Sequence, residues 1–269
     1  MTSVNPILLS SLDDPSVQPY RTLRRPQDHI RQGIFVAEGE KVVRRLLASP
    51  LEIVSFLLTP EWLERLRVEE SRFGKCTANV FTAPAEVLND IVGYRLHQGI
   101  MAVGRVPQDS SLKEIIAACA EPPLLVALDG LMNAENVGVV VRNCAGFGVD
   151  AILVGETSSS PYLRRSVRNS MGTVFQMPIL HSNDLVSDLK RLKDLGMRVV
   201  GAQLAGSTPL SRADLSGRVC IVLGNEESGL SDSVCEACNI LVAIPMHNQT
   251  DSLNVASAAA VFLYEASRR

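Results

Sequence analysis

The chain has 269 residues, 46% hydrophobic and 20% charged, long enough for two ordinary domains and too apolar for a disordered chain. Its formal net charge of −3 argues against a protein that grips nucleic acid through bulk electrostatics. No apolar run approaches the roughly 20 residues of a membrane-spanning helix, and Met1 to Pro19 carries neither a basic leader nor an apolar signal core, so a cytoplasmic location is expected.

After an N-terminal extension over 1–19, short apolar runs alternate with helical patterns. Ile34 to Ala37 reads as a strand, Val42, Val43, Leu46 and Leu47 as one face of a helix, and Leu51 to Leu58 as a second strand. A helix near Trp62, a strand near Val80, a helix from Pro84 to Ile91 and a strand from Ile100 to Val106 complete a small α/β domain over 20–107. Residues 108–122 read as a linker: Pro107 to Ser111 is polar, one short helical pattern runs from Leu112 to Cys119, and Pro122-Pro123 halts the chain. From 123 to 269 strand-like runs recur with helical spacers, at Leu124 to Leu128, Ala151 to Val154, Val174 to Leu180, Arg198 to Gln203, Val219 to Leu223 and Ile240 to Ile244. Such alternation predicts a mostly parallel sheet covered on both faces, with ligands at the carboxyl ends of its strands.

Charge is unevenly distributed. Arg21, Arg24, Arg25, Arg31, Lys41, Arg44 and Arg45 crowd one segment against only Asp28, Glu38 and Glu40, and Arg164, Arg165 and Arg168 form a cluster without acids. Runs of this kind are usually solvated faces, yet they leave room for local RNA contact through Arg24, Arg25, Arg44 and Arg165. The six cysteines are scattered, which points to reduced thiols. Cys235 and Cys238 have metal-ligand spacing but no second pair nearby, so buried thiols on one helix face are the simpler reading, and no metal is expected.

Three loops combine polar groups with strand ends. Asp129 to Gly138 follows a strand and opens a helix, with Asn136 as the expected N-cap and Arg142 six residues on, about 9 Å along the axis. Gly224-Asn225-Glu226-Glu227-Ser228-Gly229-Leu230 follows the strand ending at Leu223. Its glycines permit close backbone approach to a ligand, but Leu230 stands where a phosphate-binding loop needs Lys, and no dinucleotide fingerprint follows Leu128, so nucleoside triphosphates and NAD are disfavoured. His247 to Asn254 leads into an alanine-rich helix, with Asp251 or Ser252 as the expected cap. A hydrolase triad of Ser252, His247 and Asp251 lacks a nucleophile elbow.

In this order and spacing, Asn136-Val137-Gly138 with Arg142 and Phe147-Gly148-Val149-Asp150, Gly224-Asn225-Glu226 with Gly229-Leu230, and Ile244-Pro245-Met246 with Ser252-Leu253-Asn254 resemble the SpoU, or TrmH-like, family of RNA 2′-O-ribose methyltransferases in the SPOUT superfamily. Ser166 to Pro178, centred on Ser170-Met171-Gly172, is similar to the family's connecting region. Phe35-Val36-Ala37-Glu38-Gly39 and His97-Gln98-Gly99-Ile100 resemble its N-terminal RNA substrate-binding domain, so the likeness spans roughly Tyr20 to Tyr264.

The resemblance implies an α/β fold whose C-terminal sheet ends in a trefoil knot, a homodimer, and S-adenosylmethionine as cofactor for methylating rRNA or tRNA. Gly224, Ile244 and Leu253, with Leu223, would hold the cofactor mainly through backbone groups, and Pro245 and Met246 would line the adenine pocket. Asn136, Arg142, Glu226, Ser252 and Asn254 match the family's catalytic positions. Two departures affect loop shape: Asn133-Ala134 where Asp-Pro is frequent, and His247-Asn248 where a Gly often follows the Met. A non-catalytic RNA-binding or assembly protein on the same fold, and a base methyltransferase, are the alternatives.

Overall fold

A computed structural model describes residues 5–9, 14–96, 98–108, 110–204, 207–248 and 251–268. His97, Gln249, Thr250 and parts of the expected N-terminal extension lie outside the described residues. The chain forms two compact units, one comprising the chain up to Pro107 together with Tyr162–Gln176, the other Gln108–Pro161 and Met177–Arg269.

The first unit contains β1 (Ile7–Leu8), α1 (Gln18–Arg21), α2 (Pro26–Gln32), β2 (Ile34–Glu38), α3 (Glu40–Ala48), β3 (Ile53–Leu58), α4 (Pro60–Glu69), β4 (Asn79–Thr82), α5 (Ala85–Val92) and β5 (Ile100–Arg105). Its sheet runs β1-β4-β3-β5-β2, with β5 antiparallel to both neighbours. Helix α3 buries Val42, Val43, Leu46 and Leu47, the apolar stripe its sequence spacing demands. Trp62, Leu63 and Leu66 do the same for α4.

Tyr162–Gln176, which includes α8 (Arg164–Asn169), belongs to this unit rather than to the sheet that flanks it in sequence. Tyr162 and Phe175 stack on Phe35 at centroid distances of 5.6 and 5.0 Å. Arg164 places Nη2 2.6 Å and Nε 3.1 Å from Glu38 Oε2, and its Nη2 lies 2.8 Å from the Tyr94 hydroxyl. The strand expected from Val174 to Leu180 is therefore wrong in its first half. Thr173–Gln176 is a 3-10 turn, and only Ile179–His181 is extended. Phe175 gains more by stacking on Phe35 than an apolar run gains by continuing a strand that Pro178 interrupts.

His29 is buried, with Nε2 3.1 Å from Thr22 Oγ1 and 3.0 Å from the Pro19 carbonyl. The Thr22 hydroxyl donates to Gln18 O, so both oxygens facing Nε2 are acceptors and the neutral ring carries its proton there. Burial lowers the His29 pKa, with Arg164 adding to the effect and the Pro19 carbonyl and Asp28 opposing it. Because the unfolded ring protonates first as pH falls, this group's stability is present above about 6.5 and is lost on acidification toward the lower folded value. Urea midpoints measured between pH 7.5 and 5 should fall with a slope bounded by one proton, and His29→Gln should flatten that part of the curve; an unaltered slope would remove His29 as its source.

The second unit begins with α6 (Leu112–Ala118), capped by a reciprocal Ser111–Glu114 box. Leu112 and Ile115 enter its core, so the expected linker contributes a packed helix. Then follow β6 (Leu124–Leu128), α7 (Ala134–Gly146), β7 (Ala151–Val154), β8 (Ile179–His181), α9 (Leu185–Asp194), β9 (Arg198–Ala202), β10 (Thr208–Pro209), β11 (Val219–Leu223), α10 (Asp232–Ala237), β12 (Ile240–Ala243) and α11 (Val255–Ser267). The sheet runs β10-β12-β9-β11-β6-β7-β8 and every pairing is parallel. Strands β6, β7 and β11 are buried along their whole length, as both-face coverage requires. Because β12, β9, β11 and β6 are neighbours, the loops at their carboxyl ends lie side by side. Among the described residues no helix is long and apolar enough to cross a membrane.

Both expected caps move. Asn133, not Asn136, caps α7, accepting from the N–H groups of Glu135 and Asn136. Asn254, not Asp251 or Ser252, caps α11, accepting from Ala256 N at 2.9 Å. The Asn133-Ala134 departure is thus locally conservative, since Asn caps about as well as Asp and Ala suits a first helical turn.

Candidate active site

The loop after β6 is tied at each residue. Asp129 Oδ2 accepts from the N–H and hydroxyl of Ser231 at 2.7 and 2.9 Å. Gly130 O accepts from Asn225 Nδ2 at 2.8 Å, and Leu131 N donates to Ser158 Oγ at 3.0 Å. The loop after β11 closes on itself: Asn225 and Gly229 exchange backbone hydrogen bonds of 2.9 and 3.0 Å, while Asn225 Oδ1 accepts from Glu227 N and Ser228 N. Gly224 lies against this closure. A Cβ there would sit 2.4 Å from Gly229 C and 2.6 Å from Leu230 N, so no larger residue fits.

Three loops meet in one hydrogen-bonded chain. Asn254 Nδ2 donates to Asn136 Oδ1 at 3.1 Å, and Asn136 Nδ2 donates to Glu226 Oε1 at 2.7 Å. The helix cap sets the polarity of this chain. Asn254 Oδ1 already receives Ala256 N–H, which leaves Nδ2 as its donor. Asn136 must then accept with oxygen and turn its own amide hydrogens to the carboxylate.

Beside it, at the ends of β9, β11 and β12, lies a cavity of about 310 Å³, within the size range of small-molecule sites. Leu223, Gly224, Glu226, Ile244, Met246, Ser252 and Leu253, all expected in the site, line it. Pro245, Asn136, Arg142 and Asn254 do not line it; the two asparagines approach through Glu226. Arg142 is on the exposed side of α7 and, among the described residues, its side chain makes no ion pair or hydrogen bond. Asn248 adopts φ +57°, a left-handed conformation that Asn tolerates better than most residues.

Sequence reasoning missed the wall after β9, where Gln203 and Leu204 line the cavity, and the α11 wall of Val255, Ala258 and Phe262. The rule that ligands sit at parallel strand ends flags Gln203; nothing in the residues around it does. The cavity pairs aliphatic walls with the carboxylates of Glu226, Glu227 and Asp251, and no Lys or Arg lines it among the described residues. That donor set fits a flat ring joined to a positively charged sulfonium, and does not fit a polyphosphate.

The expected RNA-contacting cations all belong to the first unit. Arg24 and Arg25 are exposed, with no side-chain partner among the described residues, and Arg165 is exposed on α8. Arg44 differs: it is ion-paired to Glu40, Glu69 and Glu70, and these contacts, with Glu69 foremost, raise its pKa further. Its charge is already neutralised within the unit. Burial raises the Cys238 thiol to about 12 and also raises Cys235, which keeps both protonated and poor as nucleophiles or ligands.

A parallel α/β sheet with an acid-lined cavity at its central strand ends, closed by a glycine-flanked loop, defines a small-molecule-binding α/β domain. Residues 123–264 match the SpoU rRNA Methylase family, and the chain belongs to that family. It is 34% identical over 265 residues to an uncharacterized tRNA/rRNA methyltransferase of Mycobacterium tuberculosis strain H37Rv, covering 95% of this chain and 90% of the relative. Its structure is similar to that of an AdoMet-bound rRNA methyltransferase from Sinorhizobium meliloti, with a TM-score of 0.85, 27% identity and 98% of each chain covered. A solved RNA 2′-O ribose methyltransferase is similar at a TM-score of 0.77, 27% identity and the same coverage. The protein is an RNA methyltransferase that uses S-adenosylmethionine.

Proposed function

We propose that the chain methylates a ribose 2′-hydroxyl of rRNA or tRNA, acting as a homodimer whose C-terminal segment follows the family's trefoil-knotted path. The observation that carries this reading is the ordered chain from Asn254 through Asn136 to Glu226 at the cavity. The similarity to the 2′-O ribose methyltransferase supports it. Val261 and Tyr264, 40% and 57% exposed on α11, support a covered face in an assembly.

S-adenosylmethionine supplies an electrophilic methyl group on a sulfonium. In the proposal Gly224, Ile244 and Leu253, with Leu223, hold it mainly through backbone groups, and Met246 flanks its adenine while Pro245, outside the cavity lining, fixes the backbone between Ile244 and Met246. Asn136, Glu226, Ser252 and Asn254 present fixed polar atoms that orient the ribose, and such placement can supply much of the acceleration. The Arg142 guanidinium is a donor-only cation with no acceptor atom. It therefore acts by stabilising the oxyanion as the hydroxyl loses its proton to solvent water, or by fixing the adjoining phosphate. Arg24, Arg25 and Arg165 contact the RNA backbone, whereas Arg44 is held by Glu40, Glu69 and Glu70.

The test is enzymatic methylation of total RNA from cells lacking the protein, followed by digestion to nucleosides and mass spectrometry, with light scattering on the same preparation. The expected product is a nucleoside carrying its new methyl on the sugar, from a protein of twice the mass of one chain. A methyl on the base would overturn the ribose assignment, and absence of transfer would favour a binding protein on the same fold.

A further inference from the structure

The first unit contains its own cavity of about 470 Å³, walled by the start of α3, by Leu96 and Gln98 before β5, and by Arg168 and Met171 of the Tyr162–Gln176 segment. It shares no residue with the cofactor cavity. Its charges are sorted. Of the two carboxylates in its wall, Glu38 pairs with Arg164, and Glu40 shares Arg44 with Glu69 and Glu70. Two cations, Lys41 and Arg168, are exposed and have no side-chain partner among the described residues. Among the described residues the wall holds three cations, Lys41, Arg44 and Arg168, against two carboxylates, Glu38 and Glu40, an excess of one positive charge.

Its polar groups are held in place. Gln98 Oε1 accepts from Glu40 N at 2.7 Å, which leaves the Gln98 Nε2 group as a donor, and the indole N–H of Trp62 binds the Gln98 carbonyl. Met171 is in a left-handed conformation at φ +54°, secured by Arg45 Nη1 donating to its carbonyl at 2.8 Å. Such conformations cost energy and persist where the surroundings over-determine them. Leu96 and Met171 are half-buried and supply apolar surface, but among the described residues no aromatic ring lines the cavity. A base could lie there without being stacked or read, so the grip must come from its phosphate.

We propose that this cavity takes one unpaired nucleotide of the substrate RNA, other than the nucleotide that is methylated, with its phosphate held by Lys41 and Arg168. A concave wall admits a nucleotide only when it is splayed from its neighbours, the state in which unpaired RNA is recognised. The reading rests on the RNA-methylating function, whose own test, the position of the new methyl group, does not depend on these two residues.

The experiment uses the full chain and a labelled oligouridylate of about 12 nucleotides as the unpaired probe, with a blunt RNA duplex of similar length beside it. In K41A/R168A, affinity for the oligouridylate should fall about tenfold at low salt, and the slope of log K against log salt should shrink by about 0.7, one phosphate contact on a single strand. Duplex affinity, the S-adenosylmethionine Kd and the thermal midpoint should be unchanged. Lys41→Gln and Arg168→Gln, each expected to lose part of the affinity, keep the test open should the double variant fail to fold. Unchanged oligouridylate affinity and slope overturn the proposal, as does an equal loss on the duplex. Tight binding of free uridine monophosphate, with oligouridylate binding indifferent to the variants, would also overturn it by reassigning the cavity to a soluble nucleotide.

Discussion

Arg142→Ala should lower single-turnover methyl transfer about 10²- to 10³-fold, the usual loss when one preorganised charge-stabilising donor is removed, while the S-adenosylmethionine Kd changes less than about twofold. The geometry separates the two effects. Arg142 lines no part of the cofactor cavity, and among the described residues its guanidinium has no ion pair or hydrogen bond. Its removal therefore breaks no contact that shapes either α7 or the cofactor's walls. Arg142→Lys should recover only part of the rate, because an ammonium keeps the charge but loses the planar fork that grips a phosphate or oxyanion with two donors. Single-turnover assays with unmethylated substrate RNA and calorimetry with the cofactor read the two quantities independently. An equal loss of both would show that Arg142 acts on cofactor binding and would sink its proposed role.

Gly224→Ala should weaken S-adenosylmethionine binding about 10- to 100-fold. The added methyl would sit 2.4 to 2.6 Å from three backbone atoms of Gly229 and Leu230. Backbone cannot swing aside as a long side chain can, so the Asn225–Gly229 closure must open. Overpacking of this kind costs about 1–3 kcal/mol, and when the strained loop is itself the ligand's wall, most of that cost falls on binding, at about 1.4 kcal/mol per factor of ten. Gly146→Ala is the matched control. That glycine ends α7 with an ordinary φ and nothing within 4 Å of the added carbon, so its cofactor affinity should equal that of the unaltered protein. Calorimetric titration decides the matter; a Gly224→Ala protein that binds as tightly as the control would remove the loop from the cofactor site.

Parts of this architecture were legible early because they are written in local patterns. Fully apolar runs such as Leu124–Leu128 and Val219–Leu223 can be buried on both faces only in a covered parallel sheet, and both are central strands. The glycine-flanked loop after Leu223 was readable for the same reason: a residue without a Cβ at the end of a buried strand signals a close backbone approach. The helix starts were placed within a few residues, but their caps were not. Asn133, Asn136, Asp251, Ser252 and Asn254 are all competent caps, and choosing among them depends on where the incoming strand leaves the chain rather than on intrinsic preference.

The amino-acid sequence by itself thus determined the fold class, the three polar loops and, through their joint order and spacing, the family. What only the tertiary structure decided is which of those groups meet. Asn136 and Asn254 are 118 residues apart and share a hydrogen bond because β6 and β12 are parallel strands whose carboxyl ends face the same way in one sheet. Gln203 enters the cavity wall because β9 lies between β11 and β12, although nothing near it in sequence marks it. Tyr162–Gln176 joins the first unit because Phe35 offers its rings a stacking partner and Glu38 offers Arg164 a carboxylate. Local sequence encodes which face of a strand or helix is apolar; strand order and long-range side-chain complementarity, which no window of neighbouring residues contains, select the contacts that make a site.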